Sequence, residues 1–93
     1  MRAYDQARAT GLPVFYEAAT DTIRTFPENY CLAVQRGGRW TPFVDAGVGR
    51  QRAGLAAVIR RHSGASADDM VALLAATYTK PHSRHSKRRW RRR

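Results

Sequence analysis

Tyr30-Cys31-Leu32-Ala33-Val34-Gln35-Arg36-Gly37-Gly38-Arg39-Trp40-Thr41-Pro42-Phe43-Val44 is the stretch on which the fold turns. Two runs of β-branched, aromatic and aliphatic residues, 30–34 and 39–44, flank a pair of glycines that allow positive φ at both central positions of a tight turn. A hairpin is predicted here. With Gly37-Gly38 as the turn, Arg36 pairs with Arg39, Val34 with Thr41 and Leu32 with Phe43. Tyr30, Leu32, Val34 and Phe43 then share one face, expected to be the buried one, and Trp40 lies opposite with Ala33, Gln35 and Pro42. Pro42 has no N–H for a ladder, so its strand is expected at a sheet edge or beside a bulge.

C-terminal to the hairpin, Leu55, Val58, Ile59 and His62 recur at helical spacing, which predicts a helix over about 49–62 with Gly64 as a stop just beyond. A second helix, about 67–79, has a start signal in Ser66 as N-cap and Asp68 and Asp69 in the first turn. Met70, Leu73, Leu74, Thr77 and Tyr78 follow along one face, and Pro81 bounds it. The short link 63–65 implies that the two helices pack as close neighbours.

N-terminal to the hairpin, residues 3–9 read as a short helix ended by Gly11. Residues 13–26 allow two readings. Phe15, Ala18, Ala19, Thr22, Ile23 and Phe26 trace a weak helical stripe, whereas Val14-Phe15-Tyr16 and Thr22-Ile23-Arg24-Thr25-Phe26 are rich in strand formers; two strands are favoured. The expected fold class is α+β. A small antiparallel sheet that includes the hairpin 30–44 packs against the two C-terminal helices. Residues 1–79 form one compact body, and 80–93 form an extended basic tail, flexible unless bound.

Charge divides the chain in the same place. Of 17 Lys and Arg residues, eight lie in 80–93, where there is no Asp or Glu; residues 1–79 carry nine basic groups against seven acidic ones. The tail cannot bury enough apolar surface to offset the entropy of ordering, and a polyanion is its natural partner. Within it Trp90, set in an arginine run, has no local core to join and suits stacking on bases. Hydrophobic residues make up 43% of the chain and concentrate in 12–78, which argues for a folded body. The preference for Arg over Lys fits bidentate phosphate recognition and equally a GC-rich genome.

Several chemistries find little support. No apolar run approaches the ~20 residues of a membrane span. Arg2 and Arg8 hint at a presequence, but Asp5 and the lack of a Ser-rich stretch argue against one. Cys31 is the single cysteine, so neither an internal disulfide nor a Cys-based zinc site can form within one chain. That fits a reducing compartment, the cytoplasm or an organelle matrix. His62 reads as a helix C-terminal residue favoured by the dipole, while His82 and His85 sit among arginines that discourage a divalent cation. The carboxylates are scattered or, for Asp68 and Asp69, explained by a helix start. No enzyme, metal or cofactor is expected.

Ala46-Gly47-Val48-Gly49-Arg50-Gln51-Arg52 reads as a strand-to-helix turn or as backbone amides for a phosphate; it lacks the Gly-Lys-Ser/Thr ending of a nucleotide-binding loop. With the order of elements over 12–62, this segment resembles the double-stranded RNA-binding domain, whose final helix opens at a Gly-rich turn with a lysine cluster. The resemblance implies that Arg50 and Arg52 stand where those lysines are expected. Gln51 interrupts them, the first helix is truncated and the second helix of 66–79 is an addition, so no family is assigned.

The expected nucleic-acid contacts are Lys80, Arg84, Lys87, Arg88, Arg89, Trp90, Arg91, Arg92 and Arg93 in the tail, with Arg36 and Arg39 at the hairpin tip and Arg50 and Arg52 at the helix start. If tip and helix start face the same way, they form a second cationic surface. The leading expectation is an RNA-binding protein, a structural subunit of a ribosome or other ribonucleoprotein, with RNA favoured over DNA. The alternatives are a phage or plasmid accessory protein that binds DNA, and an interaction module or inhibitor docking on an acidic protein surface, with other proteins of an assembly as partners.

Overall fold

A computed structural model describes residues 2–78; the predicted tail, 80–93, lies outside the described residues. The order of elements is α1 (Ala3–Thr10), β1 (Val14–Glu17), β2 (Thr22–Thr25), β3 (Cys31–Arg36), β4 (Arg39–Pro42), α2 (Gly49–Arg61) and α3 (Ala67–Thr77). The fold is α+β, as the patterning predicts. Four antiparallel strands form one sheet in the order β1-β2-β3-β4, and the helices pack on it. Residues 14–17 and 22–25 are strands, which settles the choice left open over 13–26.

Gly37 and Gly38 adopt φ of 58° and 81°, and the turn they form sets the predicted register: Arg36↔Arg39, Gln35↔Trp40, Val34↔Thr41 and Ala33↔Pro42. The buried face is the reverse of the expected one. Trp40 and Ala33 are buried in the core with Val14 and Ile23, while Phe43 is 52% and Tyr30 40% exposed. The reason is tertiary. The Trp40 indole N–H donates to the Ala65 carbonyl at 2.9 Å, and its backbone N–H donates to the Ser63 carbonyl at 2.7 Å. Trp40 thereby fastens the α2–α3 link along the open edge of β4, and its ring meets Tyr16 edge-on at 6.1 Å. Leu32 nonetheless stays buried, because β3 carries an irregularity there: Ile23 pairs with Ala33 but Arg24 with Cys31, which leaves Leu32 as the extra residue, packed into the same core.

The core lies between one face of the sheet and the two C-terminal helices: α2 supplies Leu55 and Ile59, α3 supplies Met70 and Leu74, and Tyr78 follows. Helix α2 sits over β4 and β3, and α3 over β1 and β2. Each helix stops slightly earlier than its periodicity suggests. His62 is the C-cap of α2, and Tyr78 takes extended backbone angles as its ring enters the core. Burial, with Glu28 and Tyr30 nearby, pushes the Tyr78 hydroxyl up to about 12, so it is neutral at physiological pH.

Helix α1 ends at Gly11 in the left-handed conformation, φ 73°, as predicted. It covers the β1 edge. Tyr4 meets Phe15 and Phe26 edge-on at 5.8 and 4.9 Å. The other edge strand is β4, where Pro42 was expected to require an edge or a bulge.

At the start of α3 the Ser66 hydroxyl accepts the Asp69 N–H at 3.1 Å. Losing that cap exposes an unpaired first-turn donor, so Ser66→Ala is expected to lower unfolding free energy by about 1 kcal/mol, measured by urea denaturation. Ser66→Asp is expected to recover most of it, since its carboxylate caps equally well.

Candidate nucleic-acid interface

The hairpin turn projects Arg36 and Arg39 as a directly opposed cross-strand pair, both exposed. Two like charges at facing positions repel, a cost that folding alone gives no reason to accept. Among the described residues, neither guanidinium has a hydrogen bond or ion pair.

The structure decides which other arginines join them. Because Trp40 is bonded to Ser63 and Ala65, the tip rests against the chain just after α2. Arg36 and Arg39 therefore share an end of the molecule with Arg60 and Arg61, which occupy the last turn of α2 and are exposed. Arg50 and Arg52 stand at the opposite end of that helix, roughly 15 Å away at 1.5 Å per residue. The hairpin tip and the helix start therefore lie toward opposite ends of α2. Arg60 and Arg61 are the pair the sequence left out of the candidate set. Helical spacing showed that they end a helix, but not which end of it meets the hairpin.

Arg50 and Arg52 differ from each other. Arg50 is exposed, whereas Arg52 donates through Nη2 to the Gly47 carbonyl at 2.9 Å and closes the loop before α2. Gly47 holds φ of 77°, and a Cβ there would come within 2.5 Å of the Gln51 side-chain oxygen. The Gln51 side chain could turn aside, so it is the positive φ that favours glycine in this strand-to-helix turn. Val48 caps α2 without a side-chain hydrogen bond, and no acidic residue occupies the first turn.

On the sheet face turned away from α2 and α3, the Arg24 guanidinium is held by Asn29 Oδ1 at 3.0 Å from Nε and by Thr22 Oγ1 at 3.4 Å from Nη1. It faces Cys31 across the ladder. Burial raises the Cys31 thiol above its ordinary value, with Arg24 opposing and Asp45 adding to the shift. A buried, protonated thiol is a poor nucleophile. Cys31 is therefore expected to react with Ellman's reagent only as the protein unfolds. Complete labelling of the native protein within seconds would contradict the placement.

The Tyr16 hydroxyl donates to Asp21 Oδ1 at 2.6 Å, which raises its pKa. Asp21 and Glu17 belong to the β1–β2 turn, at the same end of the sheet as the hairpin tip but on the side of β1. Asp21 also reaches the hairpin, since its carbonyl accepts the Gln35 N–H at 3.1 Å, one residue before Arg36.

A groove of about 550 Å³ separates α1 from α3, with Leu12, Val14 and Phe15 along its floor. Among the described residues Asp68 is the one charged group lining it, so these walls do not suit a phosphate. Among the described residues there is no group of three or more His, Cys, Asp or Glu side chains able to hold a metal, and no helix long and apolar enough to cross a membrane. Lys80, Arg84, Lys87, Arg88, Arg89, Trp90, Arg91, Arg92 and Arg93 lie outside the described residues. No protein-family profile, curated protein or solved structure matches this chain.

Proposed function

We propose that this protein binds RNA, as a structural subunit of a ribosome or other ribonucleoprotein. The observation that carries the reading is the charge division: eight basic and no acidic residues in 80–93, against nine and seven in the rest. Phosphate neutralisation by such a segment dominates affinity, and arginine adds stacking and bidentate contacts. The body offers a second set of cations in Arg36, Arg39, Arg60 and Arg61, unpaired among the described residues. Trp90, within the arginine run, supplies a ring for a base.

A DNA-binding reading that uses α2 and α3 as a helix-turn-helix is disfavoured. Helix α3 opens on Asp68 and Asp69, both exposed, and has no Lys or Arg over Ala67–Thr77, so it would repel the groove it had to enter. The test is competition between duplex RNA and duplex DNA of matched length, together with nuclease treatment of purified material. RNA-dependent absorbance that disappears with RNase supports the proposal. A stoichiometric protein partner without nucleic acid overturns it.

A further inference from the structure

We propose that the open face of the sheet is a binding platform for a single-stranded segment of RNA, with Phe43 as the stacking ring and Arg24, Arg36 and Arg39 as its phosphate contacts. This rests on the RNA-binding reading and specifies its ligand. Both C-terminal helices occupy one face of the sheet, and α1 reaches only β1, so among the described residues no helix covers the other face of β2, β3 and β4. Strand alternation assigns its residues. From the buried Trp40, β4 directs Arg39, Thr41 and then Phe43 outward; β3 adds Val34 and Arg36, and β2 adds Arg24 beside the buried Thr22. Phe43 continues the ladder through its N–H to the Leu32 carbonyl at 2.9 Å, so its backbone is held although its ring is 52% exposed.

Composition selects the ligand. Phe15, opposite Arg24 on this face, is already covered by Tyr4, which leaves Phe43 as the open ring near the three guanidinium groups, a small apolar area for a protein partner that needs a desolvated pocket. An exposed ring on the edge strand, with Arg39 farther along that strand and Arg24 two strands across the sheet, matches an unpaired base and neighbouring phosphates. A duplex keeps its bases stacked internally and offers that ring nothing. Arg24 is already oriented by Asn29 and Thr22, which lowers the entropy lost on engaging a phosphate. The carboxylates bordering the face are Glu17, on the same side of β1, and Asp45, two residues past Phe43. Asp21, bonded through its carbonyl to Gln35 beside the hairpin tip, has its carboxylate engaged by the Tyr16 hydroxyl.

The test uses the full chain and a fluorescent oligouridine of roughly twelve nucleotides, beside an RNA hairpin duplex, in anisotropy titrations. Phe43→Ala is expected to weaken oligouridine binding roughly tenfold while leaving the duplex within about twofold, and Phe43→Trp to retain or strengthen it. Because Phe43 is more than half exposed, neither variant is expected to change the thermal melt. Arg36→Gln with Arg39→Gln is expected to reduce the log-log salt slope for the oligonucleotide by about 1.4. Unchanged oligouridine affinity in Phe43→Ala, with wild type binding both probes, overturns the platform and leaves the RNA-binding reading standing. Equal losses on both probes overturn single-strand selectivity. Wild type that binds neither probe at low salt removes both proposals together.

Discussion

Trp40→Ala is expected to lower the melting temperature by more than about 15 °C, because removing a buried tryptophan costs about 4 kcal/mol and each kcal/mol shifts a body of this size by 4–8 °C. The loss is large for its position in the fold. Trp40 fills the space between the sheet and the helices, braces Tyr16, and ties the α2–α3 link to the edge strand through two hydrogen bonds. The backbone bond survives the substitution only if the link stays in place, and without the indole the link is held by Ala65 and by the core residues of α2 and α3 alone. Trp40→Phe separates packing from hydrogen bonding. It keeps most of the apolar contact but leaves the Ala65 carbonyl without its donor, so a loss of about 1–2 kcal/mol is expected. A Trp40→Ala variant that melts within a few degrees of the parent would show that the ring does not hold the helices to the sheet.

The same residue explains what the sequence could and could not reveal. Two glycines between strand-forming runs set the hairpin register without help from the rest of the chain, because turn geometry is local. Ser66 with Asp68 and Asp69 marked the start of α3 for the same reason, and Gly11 the end of α1. The buried face was not legible. Both faces of β3 are apolar at Cys31, Leu32 and Ala33, and the irregularity that keeps Leu32 inside while Trp40 also points inside depends on pairing with β2. Choosing the face required knowing that Ser63 and Ala65 would present carbonyls to Trp40 from more than twenty residues away.

The candidate site was legible as a list of cations and not as a surface. Charge counts point to Arg36 and Arg39 because they flank a turn, but nothing local says that they meet the end of α2 and not its beginning. Arg52 carries the same formal charge as Arg50, yet its guanidinium is committed to the Gly47 carbonyl. Arg24, in the middle of a strand, drew no attention because its orientation comes from Asn29 and Thr22, which strand patterning does not reveal.

Removing residues 80–93 is expected to have the largest effect on binding. Each phosphate neutralised on single-stranded RNA contributes about −0.7 to the slope of log affinity against log salt, so eight cations account for as much as about 5.6 units. The remaining 79 residues carry nine basic groups against seven acidic ones, and binding by them is expected to be weak and only shallowly salt-dependent. Affinity at low salt should fall by two orders of magnitude or more, while at high salt the two proteins converge, because the lost term is the one that salt screens. Folding is a separate matter. The core closes with Tyr78, before the removed segment begins, so the far-UV spectrum and thermal melt are expected to be retained. Replacing the eight Lys and Arg residues with glutamine tests charge without changing chain length and should reproduce the flattened slope. If either variant binds RNA with the parent's affinity and salt dependence, the cationic extension is not what holds the nucleic acid, and the proposed function falls with it.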